Sequence, residues 1–128
     1  MWETAVTTAT TGIGTPPYMS LEALEGKRYD EKSDVWSYGC ILWELVTRRD
    51  PDLLGEHGIA PGGPYTTKLA RHLRQGKRLP LTEDEQRGVE PSYVDLMRSC
   101  WLADATQRPT FGEACRLMEY LRPEEGRA

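Results

Sequence analysis

The sequence has no hydrophobic run long enough to cross a lipid bilayer, since no stretch of about 18 apolar residues occurs in it. Its first 20 residues also lack the basic and then apolar pattern of a secretory signal. With 16 basic and 20 acidic residues, the net charge of -4 provides no excess of positive charge for a polyanion. We therefore expect neither a nucleic-acid partner nor a membrane partner.

Cysteine is scarce as well, and the three cysteines lack the paired spacing of a disulfide framework or a zinc site. Cys40, Cys100 and Cys115 each lie in an apolar run, which favours small buried side chains over a redox or metal role. An odd number of cysteines without a disulfide framework is typical of a reducing compartment. We expect a cytoplasmic protein whose chain holds no metal.

What the sequence does contain is a helical pattern over residues 33–47, and we predict that the rest of the chain packs around it. Ser33 is the predicted N-cap, and Asp34 lies where the helix dipole favours a negative charge. Gly39 costs about 1 kcal/mol relative to alanine in mid-helix, so we expect another segment to approach it closely. Apolar residues lie on more than one side, which is typical of a buried helix: Val35, Trp36, Cys40, Leu42, Trp43 and Leu45.

Further helices are predicted from apolar periodicity and capping residues, and no convincing strand is found. They cover residues 20–25, ended by Gly26, and residues 68–75, capped by Thr66 or Thr67. Another begins after Ser92, and the last follows a capping box formed by Thr110 and Glu113. The residues expected to face inward on these last two are Tyr93, Leu96, Met97, Cys100, Trp101, Phe111, Ala114, Cys115, Leu117, Met118 and Leu121.

The connecting segments 1–20, 52–64 and 79–91 are predicted to be loops because they are rich in glycine, proline or short polar residues. Gly12 and Gly14 lack the third glycine of a nucleotide-binding loop, and two prolines follow them, so we do not assign that role. The basic residues of segment 68–78 form either a solvated face or a surface for an acidic partner: Lys68, Arg71, Arg74, Lys77 and Arg78.

Three separated motifs now suggest a family. Residues 14–22 read Gly-Thr-Pro-Pro-Tyr-Met-Ser-Leu-Glu, residues 33–39 read Ser-Asp-Val-Trp-Ser-Tyr-Gly, and Cys100-Trp101 precedes the Gln-Arg-Pro-Thr-Phe of residues 107–111. In this order they resemble the C-terminal lobe of a eukaryotic-type protein kinase: the end of its activation segment, its central helix and the turn before its last helix. Cys-Trp and Arg-Pro-Thr-Phe are most similar to the sequences of the tyrosine-kinase-like group. Gly-Thr-Pro-Pro-Tyr is more similar to kinases that phosphorylate serine or threonine.

The resemblance implies a mainly helical, incomplete kinase lobe and a role for each matching residue. The activation segment would end within residues 1–22, residues 23–122 would form the rest of the lobe, and residues 123–128 a tail. Glu22 would pair with Arg108, although Ser20-Leu21 replaces the usual Ala-Pro before that glutamate. Asp34 would accept backbone hydrogen bonds from the catalytic loop. Gly14, Thr15, Tyr18 and Met19 would contact the protein substrate, and Thr10 and Thr11 are candidate phosphoacceptors.

The motifs for phosphoryl transfer are missing: a glycine-rich lid, a phosphate-binding lysine, a catalytic aspartate, and the asparagine and aspartate that hold magnesium. Arg48-Arg49-Asp50 lacks the downstream asparagine of a catalytic loop and is interpreted as a helix terminus. We expect ATP and magnesium to bind upstream of Met1 in a longer parent protein. This chain would then hold no cofactor and would be inactive alone.

Three interpretations remain open from sequence. The chain is a fragment of a kinase catalytic domain, with a protein substrate and the remainder of that domain as its partners. Alternatively, it is a free-standing, non-catalytic interaction module derived from a kinase lobe, which binds a kinase or its substrates through residues 68–78. The third interpretation is a helical domain whose motifs occur by chance.

Overall fold

A computed structural model describes residues 16–27 and 29–121. These residues contain no β-strand, which confirms the prediction of a mainly helical fold. In the same residues, no helix combines the length and the apolar character that a bilayer span requires. The helices are α1 (Leu21–Leu24), α2 (Glu31–Thr47), α3 (Leu53–Glu56), α4 (Tyr65–Arg74), α5 (Glu83–Arg87), α6 (Pro91–Ser99) and α7 (Phe111–Leu121), with 3-10 turns at Pro16–Tyr18 and Ala105–Gln107.

The central helix α2 begins at Glu31, because Asp30 and not Ser33 is its N-cap. The Asp30 side chain accepts a hydrogen bond from the Lys32 amide at 2.9 Å. Ser33 lies three residues further on, where its hydroxyl accepts the Asp30 amide at 3.4 Å and completes a capping box. The prediction of Ser33 as the N-cap was therefore wrong. The helix ends as expected, since Arg48 adopts a left-handed conformation with φ of 58°.

One side of α2 forms the centre of the core. Val35 and Trp43 are fully buried, and Trp36, Cys40 and Leu42 are nearly so. A methyl group at Gly39 would lie 2.7 Å from Cβ of Cys100, which follows α6, and 2.8 Å from Nε1 of Trp101. The expected close approach at Gly39 is thus confirmed. Leu45 does not follow the prediction, because 61% of its surface is exposed.

Two predicted loops contain short helices that sequence patterns had not revealed. Asp52 accepts the amide of Gly55 at 3.1 Å and starts α3, whose Leu53 and Leu54 enter the core. Thr82 and Glu85 form a reciprocal capping box that starts α5. In both helices a side-chain cap stabilises the first turn, although glycine and proline lie nearby in the sequence. In α3, burial of Leu53 and Leu54 adds further stability.

The starts of α4 and α6 also differ from prediction, because a proline precedes or opens each helix. Pro64 is the N-cap of α4, and its side chain makes no capping hydrogen bond, so Thr66 and Thr67 lie in the first turn instead. Pro91 occupies the first position of α6, because the fixed φ of proline suits a helix start. The N-cap is therefore Glu90 and not Ser92.

Helix α7 begins with the predicted capping box, in which Glu113 accepts the Thr110 amide at 2.9 Å and Thr110 accepts the Glu113 amide at 3.0 Å. Its inward face is less buried than expected. Ala114 is fully buried, whereas Phe111 and Leu117 are 39% and 44% exposed and Cys115 is exposed. The predicted burial is therefore correct for Cys40 and Cys100 but wrong for Cys115. Burial raises the pKa of both internal thiols to about 12.

Candidate functional site

The structure pairs Glu22 with Arg108 although 86 residues separate them. Nη1 of Arg108 donates to Oε2 of Glu22 at 2.8 Å, and Nη2 donates to Oε1 at 3.0 Å. The Arg108 side chain is completely buried, and 18% of the Glu22 side chain is exposed. This is a bidentate, largely desolvated ion pair, the geometry for which arginine is best suited.

Neighbouring groups complete the hydrogen bonding of the pair. Ser33, the residue predicted to cap α2, donates its hydroxyl to Oε2 of Glu22 at 2.8 Å. Arg108 also donates from Nε to the Leu102 carbonyl at 2.8 Å and from Nη1 to the Lys32 carbonyl at 2.9 Å. Lys32 in turn donates to the Arg108 carbonyl at 2.9 Å. These bonds join α1, the start of α2 and the turn before α7 into one junction.

The electrostatics of the junction favour the charged carboxylate. Burial by itself would raise the pKa of Glu22, but hydrogen bonds from Arg108, the backbone and Ser33, together with the charge of Arg108, lower it to about 2. The carboxylate is therefore ionised at all physiological pH values, and the pair is a permanent connection between distant parts of the chain.

A second arginine, Arg78, lies beside the junction, although it was predicted to lie with the surface basic residues of segment 68–78. The guanidinium carbons of Arg78 and Arg108 lie 4.9 Å and 5.0 Å from the centroid of the Trp36 ring. Arg78 also donates to the carbonyls of Trp101 at 2.8 Å and Leu73 at 3.1 Å. Burial and the nearby charge of Arg108 lower the pKa of Arg78. Arg78 is thus part of the packed interior, with cation–π contacts that its sequence position did not indicate.

The turn at residues 16–19, predicted to contact substrate, is fixed on α2 by side-chain hydrogen bonds. Tyr18 donates its hydroxyl to Oε2 of Glu44 at 2.5 Å, and Ser37 donates to the Tyr18 carbonyl at 2.7 Å. The Met19 amide closes the turn on the Pro16 carbonyl at 3.0 Å. Burial and the bond to Glu44 raise the pKa of Tyr18. Glu44 was not identified from sequence, because no local pattern connects it to a residue 26 positions earlier.

Asp34 lies in the first turn of α2 and is half-buried. Its Oδ1 accepts a hydrogen bond from the hydroxyl of Tyr29. Burial, and then this bond, raise the pKa of Tyr29. The role that the resemblance implies for Asp34, acceptance of backbone hydrogen bonds from a catalytic loop, stays a prediction, and Tyr29 was not predicted as its neighbour.

The remaining site residues named from sequence are Thr10, Thr11, Gly14 and Thr15, and they lie outside the described residues. In residues 16–27 and 29–121, no group of three or more histidine, cysteine, aspartate or glutamate side chains is arranged to hold a metal ion.

Apolar surface remains exposed on α2 and α7. Ile41 and Leu45 on α2 are 43% and 61% exposed, and Tyr120 on α7 is 85% exposed. An open groove of about 630 Å³, mostly apolar, also lies between α2, α6 and α7, where Tyr38, Tyr93 and Met118 contribute to its walls. Single exposed apolar residues are ordinary, but a set on the central helix of a fold is not.

Comparison with known proteins agrees with this arrangement. Residues 3–118 match the family model described as protein tyrosine and serine/threonine kinase. The chain is 37% identical over 118 residues to the probable serine/threonine-protein kinase drkD of Dictyostelium discoideum, covering 92% of this chain and 8% of that protein. It is also 37% identical over 113 residues to human mitogen-activated protein kinase kinase kinase 7, covering 88% of this chain and 17% of the relative.

The chain therefore spans a small part of the length of these relatives. A match over most of the sequence excludes the interpretation that the motifs occur by chance.

Proposed function

The chain belongs to the protein tyrosine and serine/threonine kinase family, and from this premise we propose that it is the C-terminal part of a catalytic kinase domain. The parent would transfer a phosphoryl group from ATP to serine or threonine residues of proteins. This is supported by the names of the two relatives, of which one is called a probable serine/threonine-protein kinase and the other a mitogen-activated protein kinase kinase kinase. The bidentate Glu22–Arg108 pair is the observation that carries the proposal, because it joins the two terminal motifs as a kinase lobe requires. The tyrosine-kinase-like subgroup and a cytoplasmic location are part of the same proposal.

Within the parent, the turn at 16–19 would face the protein substrate. Its attachment to Ser37 and Glu44 supports this role, because a substrate-contacting loop must be held in place by rigid elements. Tyr18 and Met19 would contact the residue beside the phosphoacceptor, together with Gly14 and Thr15. Thr10 or Thr11 would be phosphorylated. Asp34 would exchange its bond to Tyr29 for backbone donors of the catalytic loop.

The residues of this chain do not fit ATP or magnesium. The sequence has no glycine-rich lid and no magnesium-binding motif, and the described residues form no candidate metal cluster. We assign ATP and magnesium to the part of the kinase domain that precedes this sequence in the parent. The same part would cover the exposed apolar residues of α2 and α7, which makes it the main partner of this chain.

A phosphotransfer assay tests the proposal. The chain would be incubated with radiolabelled ATP, magnesium and generic protein substrates, beside an intact kinase domain of the family as positive control. We expect no transfer above background from this chain at any concentration. Transfer that scales with the concentration of the chain, and that is lost when magnesium is removed, would contradict it.

The alternative of a free-standing interaction module remains, and one observation favours it. In the part of the chain that the structure describes, Lys68, Arg71 and Lys77 form no ion pair with a carboxylate. Reading the coding sequence directly upstream of Met1 separates the two functions. An in-frame His-Arg-Asp and Asp-Phe-Gly supports the catalytic domain, whereas a promoter and an isolated start codon support the module.

A further inference from the structure

A group of basic side chains lies where α3 and α4 meet, and we name it the α4 basic patch: Lys68, Arg71 and His72 on α4, Lys77 after it and His57 after α3. Residues 68, 71 and 72 are three and four positions apart, so they share one face of the helix. The Lys77 amide donates to the His72 carbonyl at 3.1 Å, and the His57 ring bonds the Arg78 carbonyl at 2.8 Å. These bonds bring the two flanking residues to the same end of α4.

The patch is smaller than the basic run in the sequence. Nη1 of Arg74 bonds Oε2 of Glu25 at 2.5 Å, and Arg78 packs on Trp36, so neither contributes free charge to the surface. Arg71 and His57 are exposed, and Lys68 and Lys77 are half-exposed. The patch therefore offers three fixed positive charges at the surface.

Most acids of the elements packed against α4 form ion pairs with residues outside the patch. On α1, Glu22 pairs with Arg108 and Glu25 pairs with Arg74 and Lys27. Near α3, Glu56 pairs with Arg49, and Asp52 accepts the Gly55 amide. Among the described residues, Asp52 forms no ion pair, and no carboxylate lies within ion-pair distance of Lys68, Arg71 or Lys77.

The surroundings of His72 show the same excess of positive charge. Both of its ring nitrogens are buried and have no hydrogen-bond partner among the described residues. Burial lowers its pKa, and the charges of Lys77, Arg71, Lys68 and His57 lower it further. These four charges are all positive, so an anion placed beside them would gain electrostatic energy although the chain as a whole is acidic.

We propose that the α4 basic patch binds a carboxylate-rich segment of a protein partner. Two fixed charges one turn apart on α4, Lys68 and Arg71, and a third just after the helix, Lys77, match a short peptide that carries several acidic residues. A nucleic acid is a poorer fit, because its continuous charge would also meet the acidic remainder of a chain with net charge -4. The inference goes beyond the proposed function, since it holds for a kinase domain and for an interaction module alike.

Fluorescence anisotropy with a labelled peptide of alternating Glu and Gly, about 12 residues long, tests the site on the full chain. We expect binding that weakens as salt rises, because exposed charges are screened within about 8–10 Å at physiological ionic strength. The double variant Arg71→Glu/Lys77→Glu should bind at least about tenfold more weakly, which corresponds to about 1.4 kcal/mol. Arg98→Glu/Arg116→Glu is the matched control, with the same charge change at exposed residues of α6 and α7, and should bind within about twofold of the unaltered chain.

A second readout separates a specific site from general charge attraction. Binding of the acidic peptide should raise the pKa of His72, measured by NMR titration of its ring protons, because a negative charge favours the protonated ring. The variant Arg71→Gln/Lys77→Gln removes the two charges without reversing them. Its affinity for the peptide should lie between those of the unaltered chain and the charge-reversal variant, whereas unfolding of the charge-reversal variant alone would leave the Gln variant at full affinity.

Three results would overturn the proposal: no binding, equal binding of the Gln and Gly analogue of the peptide, or equal loss in the matched control. Tighter binding of an oligonucleotide of the same charge would also overturn it, in favour of a nucleic-acid partner.

Discussion

The two sides of α2 differ in how far their apolar residues are exposed to solvent. On one side of α2, Leu42 is 1% exposed and Trp43 is fully buried, and α6 packs closely enough to require Gly39. On the other side, Ile41 is 43% and Leu45 61% exposed. A helix with apolar residues on all its sides is normally buried on all of them. The buried side is completed by this chain, and we infer that the exposed side is completed by another part of the kinase domain.

The largest expected effect concerns the Glu22–Arg108 pair, which holds the buried side of α2 at its start. Arg108→Ala should lower the free energy of unfolding by about 3–5 kcal/mol, because it leaves a desolvated carboxylate without its partner. Urea unfolding monitored by circular dichroism measures the change. Arg87→Ala is the control: Arg87 pairs with Asp84 at the surface, and its loss should cost less than about 1 kcal/mol.

A double-mutant cycle with Glu22→Gln and Arg108→Leu then isolates the interaction itself. Additive effects, with a coupling energy below about 0.5 kcal/mol, would show that the two residues do not depend on each other and would contradict the account of the junction.

Two leucines of α2 sharpen the comparison of its sides. Leu42→Ala should cost about 2–5 kcal/mol, because it removes a buried side chain and leaves a cavity. Leu45→Ala, the same chemical change one turn away, should alter stability by no more than about 0.5 kcal/mol, since that side chain is already in water. Thermal or urea unfolding of both variants provides the measurement, and equal losses would mean that Leu45 is buried.

Acid should weaken the junction in a defined pH range. The pKa of Glu22 falls from 4.5 to about 2 on folding, so its stabilisation is fully present above pH 4.5 and is lost as the pH falls toward 2. At 1.36 kcal/mol for each pKa unit, the loss by pH 2 is about 3 kcal/mol. Urea unfolding measured across this range should give a steeper decline for the unaltered chain than for Glu22→Gln. Parallel declines would contradict the assigned pKa.

The smallest expected effect tests the crossing of α2 and α6. Gly39→Ala should destabilise the protein by about 1–3 kcal/mol, because the added methyl group would collide with Cβ of Cys100. Gly112→Ala in α7 is the matched helical control, where the new Cβ would meet only ordinary contacts at 3.7 Å and 3.8 Å. Greater helix propensity should make that variant up to about 1 kcal/mol more stable. A loss at Gly112 equal to that at Gly39 would show that packing is not the cause.

Long, strongly patterned features were predictable from sequence. The extent of α2, the tight contact at Gly39 and the capping box at Thr110 follow from helix periodicity, the absence of a Cβ and local hydrogen bonds. The short helices α3 and α5 were missed, because four or five residues give too little periodicity to detect. Pro64 and Pro91 shifted two helix starts, since proline competes with the hydroxyl residues that cap helices.

The site was predictable only where a family motif names the residue. Glu22 and Arg108 were paired in this way, whereas the role of Asp34 stays a prediction. The contacts that Ser33, Tyr29 and Trp36 make in the site depend on tertiary structure and were not predicted. Glu44 and Arg78 were missed for the same reason, since each meets a partner more than 20 residues away. The exposure of Leu45 and Cys115 also escaped prediction, because apolar periodicity does not reveal which apolar positions the other helices cover.

Binding of a hydrophobic dye to the folded chain tests the unequal sides of α2 most directly. We predict that the unaltered chain binds the dye at temperatures below its unfolding transition. The variant Ile41→Lys/Leu45→Lys should reduce the dye signal, while its free energy of unfolding stays within about 0.5 kcal/mol of that of the unaltered chain. A sharply melting monomer that binds no dye would contradict the account, because the exposed side of α2 would then need no covering segment.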